Sequence, residues 1–235
     1  MQYDLGEMAR ICSGRLAQLD VVSNNLANVG TPGFKVEHLY PDRKKEDGGS
    51  GASPYASSLL ADFSQGIMQP TGNPLDVAIQ GEGFFVVQTP AGPAYTRKGN
   101  FLVNRQKQLV TQSGAPVLGE KGPLILGGKN VTIDSSGTIT VDGAVVDRLK
   151  MVRFTELKAL ARQGEGLFSD PGSAGVQKME KAEVSPGQLE MSNVNAVKEM
   201  VDMIGMHRSF ESYQKVIQMM SEIDKLSASR VGRLA

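Results

Sequence analysis

The 235-residue chain has one cysteine, two histidines and no tryptophan. Cys12 has no partner for an intrachain disulfide, so a disulfide-stapled secreted fold is excluded. A cysteine/histidine metal site cannot be built from so few ligands. No run of about 18 apolar residues exists to span a bilayer as a helix. Met1 to Arg10 carry Asp4 and Glu7 and lack the basic-then-apolar layout of a secretory signal, so any route out of the cytoplasm is expected to be non-classical. Net charge is also missing. Twenty-five basic residues balance 25 acidic ones, which leaves no global attraction to nucleic acid or an anionic membrane.

Glycine and proline are scarce at the two ends and crowded between Gly30 and Gly187. The ends should therefore be helical and the centre rich in turns. Near the N-terminus Leu5, Met8, Cys12, Leu16, Leu19, Val22 and Leu26 recur at spacings of three and four, one stripe of a helix over Asp4 to Ala27. Gly6 and Gly14 make that helix marginal in isolation. Thr31-Pro32-Gly33-Phe34 then demands a type II turn, with proline fixing one residue and glycine supplying the positive φ.

The C-terminal end mirrors this pattern. Asn193 or Asn195 can cap a helix, and a stripe runs through Val197, Val201, Ile204, Phe210, Tyr213, Ile217, Met220, Ile223 and Leu226. From Val194 to Val231 such a helix would measure roughly 55 Å, longer than a compact domain of this size needs. Small residues beside the stripes (Ala9, Ser13, Ala17, Ser209, Ser212) permit close helix approach, and methionine fills irregular gaps. Packing within one chain and packing between chains are both open readings of these stripes.

In the centre, Arg43 to Pro54 is charged and then glycine- and serine-rich, and reads as a mobile loop. From Leu75 the period switches to two. Leu75 to Ile79 and Phe84 to Gln88 flank Gly81-Glu82-Gly83 as a hairpin-like pair. Short segments follow at Tyr95–Arg97, Phe101–Val103, Leu109–Thr111, Val131–Ile133, Thr138–Val141, Val145–Val146 and Leu149–Phe154. Asp134 to Gly137 and Asp142-Gly143 serve as turns. These strands predict an antiparallel barrel or sandwich. A second loop is expected from Gly164 to Gly175.

Gly81-Glu82-Gly83 lacks the lysine and the following helix of a phosphate loop. Asp134 to Gly137 lacks the repeated acids of a calcium loop. His38 and His207 have no ligand set or nucleophile motif beside them. No catalytic residue, metal ligand, cofactor or small-molecule ligand is therefore expected.

Four stretches, taken together and in order, resemble the flagellar basal-body rod and hook protein family. They are Val22 to Lys35, which holds Asn24, Asn25, Leu26, Ala27, Asn28, Thr31, Pro32, Gly33 and Phe34; Gly81 to Phe85 with Tyr95 to Phe101 and Gln108 to Thr111; Gly187 to Asn195 with Glu199 to Ile204; and Phe210 to Lys215. The resemblance implies an α+β protein. Its discontinuous inner domain (1–35 and 190–235) would pair the terminal helices as a coiled coil, and a linker (36–70) would lead to a β-rich outer domain (71–175) and a return connection (176–189). It further implies a structural subunit of the basal body that passes unfolded through the flagellar type III export apparatus and joins other rod proteins in a helical assembly.

Overall fold

The computed structural model describes residues 5–41, 57–128, 130–179 and 183–231, with side chains described over 12–40, 58–128, 130–179 and 183–223. The expected loop at 43–54 and the helix start at Asp4 lie outside the described residues. The chain divides into two compact units. One draws on residues 1–27, 37–60 and 195–235, the other on 28–36 and 61–194.

The first unit contains two helices, α1 (Leu5–Ala27) and α2 (Ala196–Val231), which pack on each other, and a paired ribbon of β1 (Glu37–Pro41) with β2 (Ser57–Ala61). Asn195 is the cap of α2. Its Oδ1 accepts from the Lys198 amide at 3.1 Å, and its carbonyl accepts from the Glu199 amide at 3.0 Å, satisfying donors that the first turn leaves free. Glu199 in that turn also complements the positive end of the helix dipole.

The stripes of the sequence divide into two faces in α2. Met203, Met206, Phe210, Tyr213, Ile217 and Met220 are half-buried and fall at alternating spacings of three and four. Val197, Val201 and Ile204 lie on another face, 71%, 63% and 55% exposed, with Met200, Val216, Met219 and Ile223 also exposed. In α1 Val22 and Asn25 are buried, and Cys12, Gly14, Ala17, Gln18, Leu19, Val21 and Leu26 are half-buried. Leu16, a member of the N-terminal stripe, is exposed.

The regular elements of the second unit are short strands, apart from one 3-10 turn (Leu157–Ala159): β3 (Met68–Pro70), β4 (Val77–Ile79), β5 (Phe84–Thr89), β6 (Gly92–Thr96), β7 (Leu102–Val103), β8 (Leu109–Val110), β9 (Val131–Ile133), β10 (Thr138–Val141), β11 (Ala144–Arg148), β12 (Met151–Phe154), β13 (Ala161–Gly164), β14 (Leu167–Ser169), β15 (Val176–Lys178), β16 (Val184–Pro186) and β17 (Gln188–Glu190). Every strand pairing is antiparallel. The largest sheet has six strands in the order β13-β14-β6-β5-β12-β15.

Its central strand β5 is buried on both faces, and the pleat sends alternate residues to opposite cores. Phe85 and Val87 join Val77, Phe101, Leu109, Leu149 and Met151 on one side. Phe84 and Val86 join Tyr95, Val152, Phe154 and Phe168 on the other. The uninterrupted Phe-Phe-Val-Val run follows from that two-sided burial.

Three expectations are corrected. No sheet closes into a barrel among the described residues, because Pro116, Gly119, Gly122 and Pro123 break the stretch from Val110 to Leu126 into isolated bridges such as Val110↔Pro116 and Leu118↔Pro123. Gly81-Glu82-Gly83 is not a hairpin turn, since β4 pairs with β16 and β5 pairs with β6 and β12. The span Gly164 to Gly175 is not all loop: Gly164 closes β13 and Leu167–Ser169 is a sheet strand that buries Phe168. The two turns at Asp134–Gly137 and Asp142-Gly143 are hairpins as expected. Asp142 and Gly143 hold φ of 49° and 86°, the paired positive values of a type I′ turn.

Candidate functional site

In the first unit, Asn25 is the polar pin at the helix pair. Its Nδ2 donates to the Glu37 carbonyl at 2.9 Å and to Glu199 Oε2 at 3.2 Å, while its Oδ1 accepts from the Glu37 amide at 3.0 Å. All three residues are buried. One side chain thus ties α1 to the first residue of β1 and to the first turn of α2. Of the other α1 positions singled out in the sequence, Cys12, Leu19 and Leu26 are half-buried and Asn24 and Ala27 are exposed. The side chains of Leu5, Met8 and Leu226 lie outside the described residues.

The second unit opens with the turn that the sequence demanded. Asn28 and Thr31 are half-buried and joined by Thr31 Oγ1 to Asn28 Oδ1 at 3.1 Å. Pro32 is also half-buried, and the Phe34 amide donates to the Thr31 carbonyl at 3.3 Å. Gly33 has φ 65°, and a Cβ there would stand 2.5 Å from the Lys98 nitrogen and 2.6 Å from the Arg97 carbonyl carbon. Only glycine fits, because the conformation and the close approach both exclude a side chain. Phe34 is buried with Val36 and Val194 and lies beneath the Arg162 guanidinium at 4.9 Å. The amide of Val36 donates to Asn193 Oδ1 at 2.8 Å, and Asn193 Nδ2 donates to the Asp62 carbonyl at 2.8 Å.

Beside this turn lies a buried charge cluster that sequence reading missed. Lys35 Nζ donates to Glu190 Oε1 at 2.6 Å and to the Ser64 carbonyl at 2.6 Å. Arg97 Nη1 stands 3.4 Å from Glu190 Oε2, and its Nη2 donates to the Gly81 carbonyl at 2.5 Å. The Gly66 amide also donates to Glu190 Oε1, at 2.9 Å. Burial pushes both Lys35 and Arg97 below their ordinary pKa values, and the Glu190 carboxylate opposes the shift in each. The only signal in the sequence was that Lys35, Arg97 and Glu190 sit inside three separate motif stretches. Nothing in spacing reveals that they meet.

These features hold strands and helices together. Among the described residues, no three His, Cys, Asp or Glu side chains converge as a metal site, and no helix is long and apolar enough to cross a membrane. The fold is α+β, and α1 and α2, from early and late in the chain, share one unit.

Three families match the chain in order. They are described as flagella basal body rod protein (residues 13–35), flagellar hook protein FlgE/F/G D1 domain (78–145) and flagellar basal body rod FlgEFG protein C-terminal (185–230). The chain is 37% identical to the flagellar basal-body rod protein FlgF of Caulobacter vibrioides, covering 92% of this chain and 93% of that one. It is 38% identical to FlgF of Salmonella typhimurium (89% and 90%) and 32% identical to FlgG of Bacillus subtilis (88% and 90%). The chain belongs to the flagellar basal-body rod protein family and is a structural protein of that rod. Each of the three matched stretches contributes one member of the buried cluster: Lys35, Arg97 and Glu190.

Proposed function

We infer that this chain is an FlgF-type, proximal subunit of the rod, whose joined helices line an axial tube and whose β-rich unit faces outward. The observation that carries this reading is the apolar face left open on α2. Val197, Met200, Val201, Ile204, Met219 and Ile223 are all exposed on a helix of 36 residues. Water-exposed apolar rows of this length mark a surface that another molecule covers. The alternating three-and-four spacing of the half-buried row suits coiled-coil pairing of α1 with α2, which leaves the second face for neighbouring subunits. A head-to-tail contact that does not close on itself generates a helical assembly, as a rod requires. Export through the flagellar type III apparatus and a final place in the cell-envelope part of the basal body complete the reading.

The test is complementation. Strains lacking FlgF or FlgG are supplied with this chain, and basal bodies are purified and imaged. Restored rods in the FlgF-null strain alone support the proximal assignment, and restoration in the FlgG-null strain alone moves it to the distal rod. Rods restored by a chain lacking 1–35 and 190–235 would refute the assembly role of the helices.

A further inference from the structure

A cleft of ≈ 250 Å³ opens on the second unit and shares no residue with the buried charge cluster. It is smaller than the roughly 300–1,000 Å³ of sites for drug-sized ligands, and far larger than one water needs. Two buried threonines fix its walls. Thr96 Oγ1 donates to the Gly166 carbonyl at 2.9 Å and accepts from the Lys98 amide at 3.1 Å, so the end of β6 holds the tip of the β13–β14 hairpin. Thr111 Oγ1 meets Ser113 Oγ at 3.0 Å and accepts from the Ala115 amide at 3.1 Å, which fixes the turn after β8. The walls are therefore formed before anything enters.

Two opposite charges stand in this cleft without pairing. Lys98 is half-buried, and its ammonium makes no hydrogen bond or ion pair among the described residues. Its stem crosses Gly166, where a Cβ would lie 2.5 Å from Lys98 Cε and displace the lysine. Glu165 and Gly166 are the central residues of a type I′ turn, with φ of 52° and 76°, and Glu165 stands exposed at the rim. Burial pushes the Lys98 ammonium below its ordinary pKa, a shift that Glu165 opposes and Arg162 adds to. The side-chain amides of Asn100 and Gln112 also make no hydrogen bond among the described residues. A partly desolvated ammonium without an acceptor is costly, and a carboxylate entering the cleft would relieve it.

The geometry points to a binding site for a free α-amino acid, with its carboxylate on Lys98 and its ammonium toward Glu165. Such a zwitterion satisfies both charges at once. A simple anion would meet Glu165 at the rim, and a simple cation would meet Lys98 within. The side chain falls among Asn100, Gln112 and Ser113, whose amides and hydroxyl favour a polar group over an aliphatic one.

The test uses the full chain. Amide spectra are recorded while each standard α-amino acid is added in turn, with acetate and ethylammonium as the two halves of the zwitterion. A polar amino acid is expected to move the amides of Gln112, Ser113, Glu165 and Gly166 along a saturating curve, at concentrations where neither half does. No saturating shift with any amino acid overturns the proposal. Acetate acting as well as the amino acid overturns it in favour of a plain anion site. Lys98→Met is expected to raise the Kd about tenfold or more, the loss of a hydrogen bond between charged groups. Glu165→Gln should raise it about two- to fivefold, as for an exposed ion pair. Unchanged affinity in both variants counts against the site. Should Lys98→Met fail to fold, the comparison of amino acid with acetate on the unaltered chain decides. Without ligand, the two substitutions should have additive effects on stability; coupling between them would show that Lys98 and Glu165 pair with each other, and overturns the proposal.

Discussion

Lys35 and Glu190 lie 155 residues apart and meet at 2.6 Å with neither side chain exposed. Because Arg97 shares the same carboxylate, the two ends of this contact are not equivalent. Removing Glu190 strands two cations, whereas removing Lys35 leaves one matched pair. Glu190→Gln is expected to destabilise the second unit by about 3–5 kcal/mol, the range for breaking a buried ion pair. Lys35→Met should cost distinctly less. Urea denaturation of both variants checks the order, and equal losses would count against an excess of positive charge.

The same cluster makes a pH prediction. Burial lowers the Lys35 pKa in the folded chain from its usual 10.5. Between the lowered value and 10.5, the unfolded chain therefore binds more protons, so stability from this residue rises with pH. Below the lowered value the full penalty of the buried ammonium is present. The difference in unfolding free energy between the natural chain and Lys35→Met should therefore shift in favour of the natural chain as pH climbs through that window. A difference that stays flat up to pH 10.5 would show that Lys35 titrates normally.

Two neighbouring glycines should behave in opposite ways. At Gly33 a methyl would strike the backbone of Arg97 and Lys98 at a φ that disfavours any side chain, so Gly33→Ala should cost several kcal/mol. At Gly30 nothing lies within 4 Å and φ is not positive. Gly30→Ala should be neutral or stabilising by about 0.4–1 kcal/mol, through a less flexible unfolded chain. Thermal melts of the two variants side by side provide the measurement.

The two faces of α2 can be separated by charge. Val201→Asp changes an exposed residue and should leave the monomer within about 0.5 kcal/mol of its stability while preventing incorporation into rods. Ile217→Asp alters the half-buried row and should weaken the helix pair itself. Circular dichroism reports the helices, and basal-body imaging reports assembly. Normal rods built from Val201→Asp would sink the idea that the open face is an assembly surface.

The sequence revealed whatever is local. Helical spacing located both terminal helices, asparagine chemistry offered the cap at Asn195, and Asp142-Gly143 announced its hairpin. It failed where the answer depended on a distant partner. A run such as Phe84 to Val87 says that a strand is buried, but not that its neighbours are β6 and β12, so Gly81 to Gly83 resembled a hairpin. Along α2, apolar residues occupy more than one face, and composition cannot tell which row α1 covers. The meeting of Lys35, Arg97 and Glu190 was hidden for the same reason: charge pairing leaves no periodicity.

The antiparallel pairs of β3 with β17 and β4 with β16, together with the Lys35–Glu190 contact, join early chain to late chain. Synthesis gives these contacts a clock. At about 5–20 residues per second, Lys35 emerges roughly 8–30 s before its counter-charge, and strands 68–70 and 77–79 wait for partners that are made almost last. Until then Lys35, β3 and β4 lack their partners, while every buried residue of the two cores except Val184 has already been made. A chain stopped at residue 183 should accordingly show unprotected amides in β3 and β4 by hydrogen exchange. Slow exchange there would mean that the early strands find stability without the tail. The segment that carries Glu190 thus completes pairings that the early strands can only begin.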